Sequence, residues 1–241
     1  MLRICISAIA SAALSSGLDA QIGAFETNCK FGGRNSSESY QFIATCAGRA
    51  SSPNRMFAIV QRAYSEHQPP IEFQDRRGRV LAKLQSLSDD MPFTVYWAPN
   101  SRWFFVNHHV GSFMDRLQLF EVVGKTAVER KKLGETAVRV ATRRYPCLPP
   151  EMVYPNGVTW SSDSRRIVIV TVSAPYACKE FGRVPGTFKS LWMIGDVNTG
   201  RVLPGTTIPQ ADDKPFALPA RRPFQEFRSD RRSKRTLKRT D

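Results

Sequence analysis

His108 and His109 stand close to Ser112 and Asp115 in one short stretch of the chain. A histidine base, a serine hydroxyl and a carboxylate are the parts of a nucleophilic hydrolase, in which the base takes the hydroxyl proton and the carboxylate orients the base. Such a serine needs a constrained turn to present it, and no Gly-x-Ser-x-Gly elbow occurs. His108, His109 and Ser112 therefore read as loop contacts for a ligand, with no catalytic assignment.

Metal chemistry lacks its pattern as well. The cysteines are scattered without a Cys-x-x-Cys, His67, His108 and His109 lie far from them, and no His/Glu zinc pattern is present. Asp75 and Asp196 precede hairpin glycines without the Asp-x-Asp-x-Asp-Gly of a calcium loop. Gly-rich phosphate cradles are missing too, so no cofactor is expected.

Residues 1–20 read as an export signal, with Arg3, the apolar run Ile4–Leu14 and small residues before Gln21. Cys5 leaves with it. Cys29, Cys46, Cys147 and Cys178 remain, an even count that an oxidising compartment would oxidise to two disulfides. Four cysteines allow three pairings; the expected one is Cys29–Cys46 with Cys147–Cys178, each worth about 3 kcal/mol in the loop-entropy account.

Charge points to a partner. The chain carries +14, of which residues 214–241 hold +7 and residues 125–144 hold +5. Arg130, Lys131 and Arg139 of the inner segment, and Arg231, Arg232, Lys234 and Arg235 of the tail, are the candidate contacts for an anionic envelope component, an acidic protein or a membrane surface. Phe224 and Phe227 interleave with arginines as single-strand stacking would require, but export makes nucleic acid the weakest partner.

Three elements must position these groups. Ser52-Pro53-Asn54-Arg55 precedes the apolar run Met56–Val60, and Trp97-Ala98-Pro99-Asn100-Ser101-Arg102 precedes Trp103–Val106. Trp160-Ser161-Ser162-Asp163-Ser164-Arg165 precedes Ile167–Val170. Pro53 to Pro99 spans 46 residues; Pro99 to Ser162 spans 63, or 43 once the 20-residue segment Lys125–Arg144 is set aside. Propeller blades recur at about 40–45 residues. Gly-Arg-Val-Leu recurs at 78–81 and 200–203, each time closing a hairpin.

These residues resemble the β-propeller repeats of exported bacterial proteins, whose blades carry a Trp-Ser-Pro-Asp-Gly-Lys/Arg turn before an apolar strand. Ser52–Arg55 enters as a version one residue shorter. The resemblance covers about residues 45–205 and implies an all-β, propeller-like array of about three four-stranded units. Three units fall short of the usual four blades. Either N-terminal strands are added, the sheets stay open, or a second chain completes the ring in an oligomer. Trp97 and Trp160 are then packing residues, and Asn54, Asn100 and Asp163 turn formers.

Leu133, Ala137, Val140 and Ala141 recur at helical spacing, which predicts one inserted helix over 125–144. The domain is expected over 21–208, and the Pro- and Arg-rich stretch 209–241 as a disordered basic tail. Together these readings favour a non-enzymatic binding or scaffold module of the periplasm or cell exterior. A hydrolase or lyase on the same scaffold is the alternative.

Overall fold

The computed structural model describes residues 25–27, 33–36, 39–42, 47–62, 70–87, 92–111, 114–173, 189–211, 218–219 and 222–227. Three short strands come first: β1 (Phe25–Thr27), β2 (Gly33–Ser36) and β3 (Ser39–Phe42). The first meander is β4 (Gly48–Ser51), β5 (Phe57–Gln61), β6 (Glu72–Asp75) and β7 (Val80–Lys83). The second is β8 (Phe93–Trp97), β9 (Trp103–Gly111), β10 (Met114–Val123) and β11 (Thr126–Glu129). Helix α1 (Lys132–Arg144) follows, and then β12 (Val153–Trp160), β13 (Arg166–Ser173), β14 (Lys189–Asp196), β15 (Arg201–Val202) and β16 (Ile208–Ala211).

Among the described residues the fold is all-β with one α-helix, in three antiparallel sheets of five, six and five strands. Each sheet contains one four-stranded meander, as the repeat requires. The additions are N-terminal: β1 pairs with β4, and the β2–β3 hairpin adds to β8 through β3. In the third sheet β15 and β16 share the edge of β14. Among the described strands, none of the three sheets closes on itself.

The core lies in layers. Phe73, Val95, Phe104 and Phe120 fill the space between the first and second sheets, with Phe104 stacked on Phe120 at 4.8 Å. Phe105, Leu119, Ile169 and Met193 fill the space between the second and third. The other face of the first sheet is polar: Arg49 donates to Gln74 Oε1 (3.0 Å), and Gln74 Nε2 (2.6 Å) and Arg62 (2.9 Å) donate to Glu72.

Strand β13 explains its own sequence. Ile167 and Ile169 face the second sheet while Val168, Val170 and Val172 face the other way, so the run is apolar on both sides. A strand without alternation needs cover on both faces. The cover is C-terminal: Phe224 and Phe227 pack with Trp192 and Ile194 on that outer face, the Phe224 and Trp192 rings meeting edge-on at 6.3 Å. Arg166 pins this clasp to Glu226 at 2.8 Å.

Three expectations are corrected here. The stretch from 209 is not loose throughout, because Ile208–Ala211 pairs as a strand and 224–227 is a buried turn of helix. Phe224 and Phe227 are core residues and are not placed for stacking on bases. Helix α1 starts at Lys132 and not at Lys125: Gly124 takes φ +61°, turning the chain so that Thr126–Glu129 pairs with β10. Within α1, Leu133, Ala137 and Ala141 are buried and Val140 is partly so, as the spacing predicts.

Candidate functional site

The three turns that precede β5, β9 and β13 are built alike. In each, the first residue's N–H donates to a carbonyl five residues on: Ser52 to Phe57 (2.8 Å), Ala98 to Trp103 (2.8 Å), Ser161 to Arg166 (2.9 Å). The third residue's side chain accepts from the backbone two residues on, as Asn54 does from Met56 (3.0 Å), Asn100 from Arg102 (2.9 Å) and Asp163 from Arg165 (3.0 Å). The fourth residue is left-handed in all three, with φ +57° at Arg55, +59° at Ser101 and +61° at Ser164. The first turn is therefore full-length and not a residue shorter. Arg55 holds the place of Ser101, and Met56 holds the place of Arg102.

Hydrogen bonds lock the turns side by side. Asn54 N–H donates to Ser101 Oγ and Asn100 N–H to Ser164 Oγ, both at 3.0 Å. The tryptophans repeat the link: Trp97 Nε1–H donates to Ala50 O (3.1 Å) and Trp160 Nε1–H to Tyr96 O (3.0 Å). Each inter-sheet layer is thus stitched by one side-chain hydroxyl and one indole, and both tryptophans are structural.

The hairpin tips arrive at the same end. Val122 N–H donates to Arg102 O (2.7 Å) and Val197 N–H to Arg165 O (3.0 Å). This turn end gathers cations that lie far apart in sequence. Arg55, Arg76 and Arg77 are exposed on the first sheet, Arg102 and Lys125 on the second, Arg165 and Arg201 on the third.

Its acids are engaged. Burial raises the Glu121 carboxyl, but hydrogen bonds from Arg102 (2.6 Å) and Arg130 (2.8 Å) outweigh that and hold it below the ordinary glutamate value. At Asp75 desolvation also acts upward, and the Arg79 and Arg77 backbone N–H groups with the Arg79 guanidinium prevail downward. Asp163 is lowered first by the Ser161 hydroxyl, then by the Arg165 N–H and Arg166. The free cations dominate the field at this surface.

Helix α1 begins at this end. Gly195 and Gly200 receive it: a Cβ on Gly195 would come within 2.6 Å of Leu133 Cδ1, and one on Gly200 within 2.9 Å of Lys132 Cδ. A cavity of about 550 Å³ lies there, lined by Arg102, Glu121, Arg130, Lys131 and Lys132. Arg130, Lys131 and Arg139 are all exposed, and Arg130 is partly neutralised by Glu121.

The histidines sit elsewhere. The β9–β10 connection is at the opposite end of the second sheet from the turn Ala98–Trp103. His108 is buried. His109 is cross-strand from Asp115, and its Nδ1 is 2.8 Å from Asp115 Oδ1. Ser112 lies outside the described residues, as do Cys29, Cys46, Cys178, Arg231, Arg232, Lys234 and Arg235. Cys147 is exposed in the turn after α1. Among the described residues no group of three His, Cys, Asp or Glu could hold a metal ion, and no helix is long and apolar enough to cross a membrane.

Sequence reasoning missed the turn end as a site, because Arg165 and its counterparts were read singly, as parts of turns. The available signal was the basic residue in each of these turns, Arg55, Arg102 and Arg165, together with Arg76-Arg77, Lys125 and Arg201 at the hairpin tips. Comparison with known proteins adds no identity: no family model, no curated protein and no solved structure matches this chain.

Proposed function

We propose that the chain is a non-enzymatic binding or scaffold module of the cell envelope, exported and propeller-like, whose basic turn end engages an anionic or protein partner. One observation carries this: the turn interlocks at Asn54–Ser101 and Asn100–Ser164 fix three basic turns in one surface. Rigid elements hold a binding surface more precisely than loose loops. The clasp over the third sheet supports an open array whose outer face on that side is covered by the chain's own C-terminal segment. The left-handed φ at Ser101 and Ser164, where the propeller turn has glycine, agrees with the resemblance. The tail beyond residue 227 adds cations that reinforce an anionic partner.

Binding of soluble polyphosphate to the full chain, titrated against salt, tests the proposal. Screening should weaken it steeply, and Arg76→Glu with Arg77→Glu should weaken it at least tenfold. A second reading, a hydrolase or lyase, draws on the His109–Asp115 pair. If His109→Ala leaves turnover of an ester panel unchanged, that reading fails.

A further inference from the structure

We infer that the cavity between the first two sheets at the turn end binds an anionic membrane lipid, its alkyl chain against Met56, Phe57 and Leu81 and its head group among Arg76, Arg77 and Lys125. The inference rests on the anionic reading of the turn end and adds an apolar component to it. The cavity measures about 460 Å³, within the range of small-molecule sites. Its walls are the turn Ser52–Phe57, the hairpin Asp75–Arg79 and the tip Gly124-Lys125.

The repeat supplies the comparison. Arg102 and Arg165 close the second and third blade turns, and Met56 stands at the same position in the first. One layer along, the equivalent cavity has Arg102 in that place and Lys131 and Lys132 beside it. Both cavities share an aromatic at the next position, Phe57 here and Trp103 there; with Met56 in the place of Arg102 the floor of this one is extended by an apolar side chain under a cationic rim. Met56 is 42% exposed, and Val123, beside Gly124 at the same tip, is 48% exposed. A methionine adapts to a flexible chain better than a branched residue does.

The rim is free to act. Asp75 is occupied by Arg79 at 3.1 Å, while Arg76, Arg77 and Lys125 have no ion pair among the described residues. A phosphate head group fits those cations, and only a ligand with an alkyl chain uses the floor as well. A bare polyanion would leave Met56 in water.

Calorimetry on the full chain with hexyl phosphate, decyl phosphate and inorganic phosphate, each below any micelle threshold, tests this. Decyl phosphate should bind at least about tenfold more tightly than hexyl phosphate, since each buried methylene contributes. Met56→Gln, at an exposed position the fold does not need, should weaken decyl phosphate about tenfold and leave polyphosphate binding unchanged. It should weaken association with phosphatidylglycerol vesicles in parallel. Equal affinity for the two alkyl phosphates, or an unaffected Met56→Gln variant, would overturn the alkyl site while polyphosphate binding still supports the charge reading. Binding of decyl phosphate without binding of phosphatidylglycerol vesicles would overturn the membrane as its source.

Discussion

Arg55, Ser101 and Ser164 share a backbone conformation that costs an L-residue roughly 1–2 kcal/mol. Arg55 is exposed and paired to nothing in its turn through its side chain, so Arg55→Gly should raise stability by about 0.5–1 kcal/mol after the entropic cost of glycine. Ser164→Gly should not, because Ser164 Oγ also accepts from Asn100 at 3.0 Å. Denaturant midpoints of the two variants would separate these effects, and equal shifts would contradict the interlock. Gly157 is the opposite case. A Cβ there would lie 2.5 Å from the Phe105 ring, and Asn107 exchanges two hydrogen bonds with its backbone. Gly157→Ala should cost about 1–3 kcal/mol through overpacking. Glu121 and Glu72 give the acid limb. Both hold fewer protons folded than unfolded, so their contribution is present above the ordinary value of 4.5 and is lost as pH falls through the lowered folded values. Stability measured from pH 6 to pH 3 should fall, and Glu121→Gln should flatten the fall; a flat wild-type curve would contradict the pairing. The turn residues were legible in the sequence because Asn, Asp and Ser signal their own local hydrogen bonds. The first turn's register was not, since its alignment on Arg55 ignored the conformation that only the backbone shows.

The elements carry the next lesson. Alternation and apolar runs place most strands of the three meanders, and the 3.6-residue spacing places α1 from Leu133 onward. Both failures have a tertiary cause. Thr126–Glu129 is too short and too polar to signal a strand, and it forms one because β10 offers an edge next to Gly124. Phe224 and Phe227 looked like aromatics in a basic tail, yet the uninterrupted apolar run of β13 already required a cover for its second face. The clasp is therefore structural, and any truncation test of the tail must keep residues through Phe227. Phe224→Ala should destabilise the chain by about 3–5 kcal/mol, as for other buried aromatics. Deletion from Arg228 onward should leave the melting temperature unchanged. Loss of folding on that shorter deletion would show that more of the tail is built into the third sheet. Oxidation state is testable at this scale too. With Cys147 in the turn after α1, pairing with Cys178 would clip that turn to the β13–β14 connection, and a peptide map of the non-reduced chain should recover the two cysteines in one fragment.

At the scale of the whole molecule, +14 is not only a matter of helix and tail. The repeats carry little net charge, but at the turn end Glu121, Asp75 and Asp163 are engaged in turns and ion pairs while Arg55, Arg76, Arg77, Lys125, Arg165 and Arg201 project from it. That sorting could not be read from a running charge count, because it depends on which turns become neighbours. It also separates two parts of the chain that sequence order leaves confounded, the turn end and the C-terminal tail. The direct measurement is salt-dependent binding of polyphosphate to three proteins: the intact chain, a chain ending at Phe227, and the intact chain carrying Arg76→Glu, Arg77→Glu and Lys125→Glu. The turn-end account expects the truncated protein to retain most of the affinity and the triple variant to lose at least tenfold. A triple variant that binds like the intact chain, with the truncated protein losing its affinity, would place the anionic site in the tail and contradict the account.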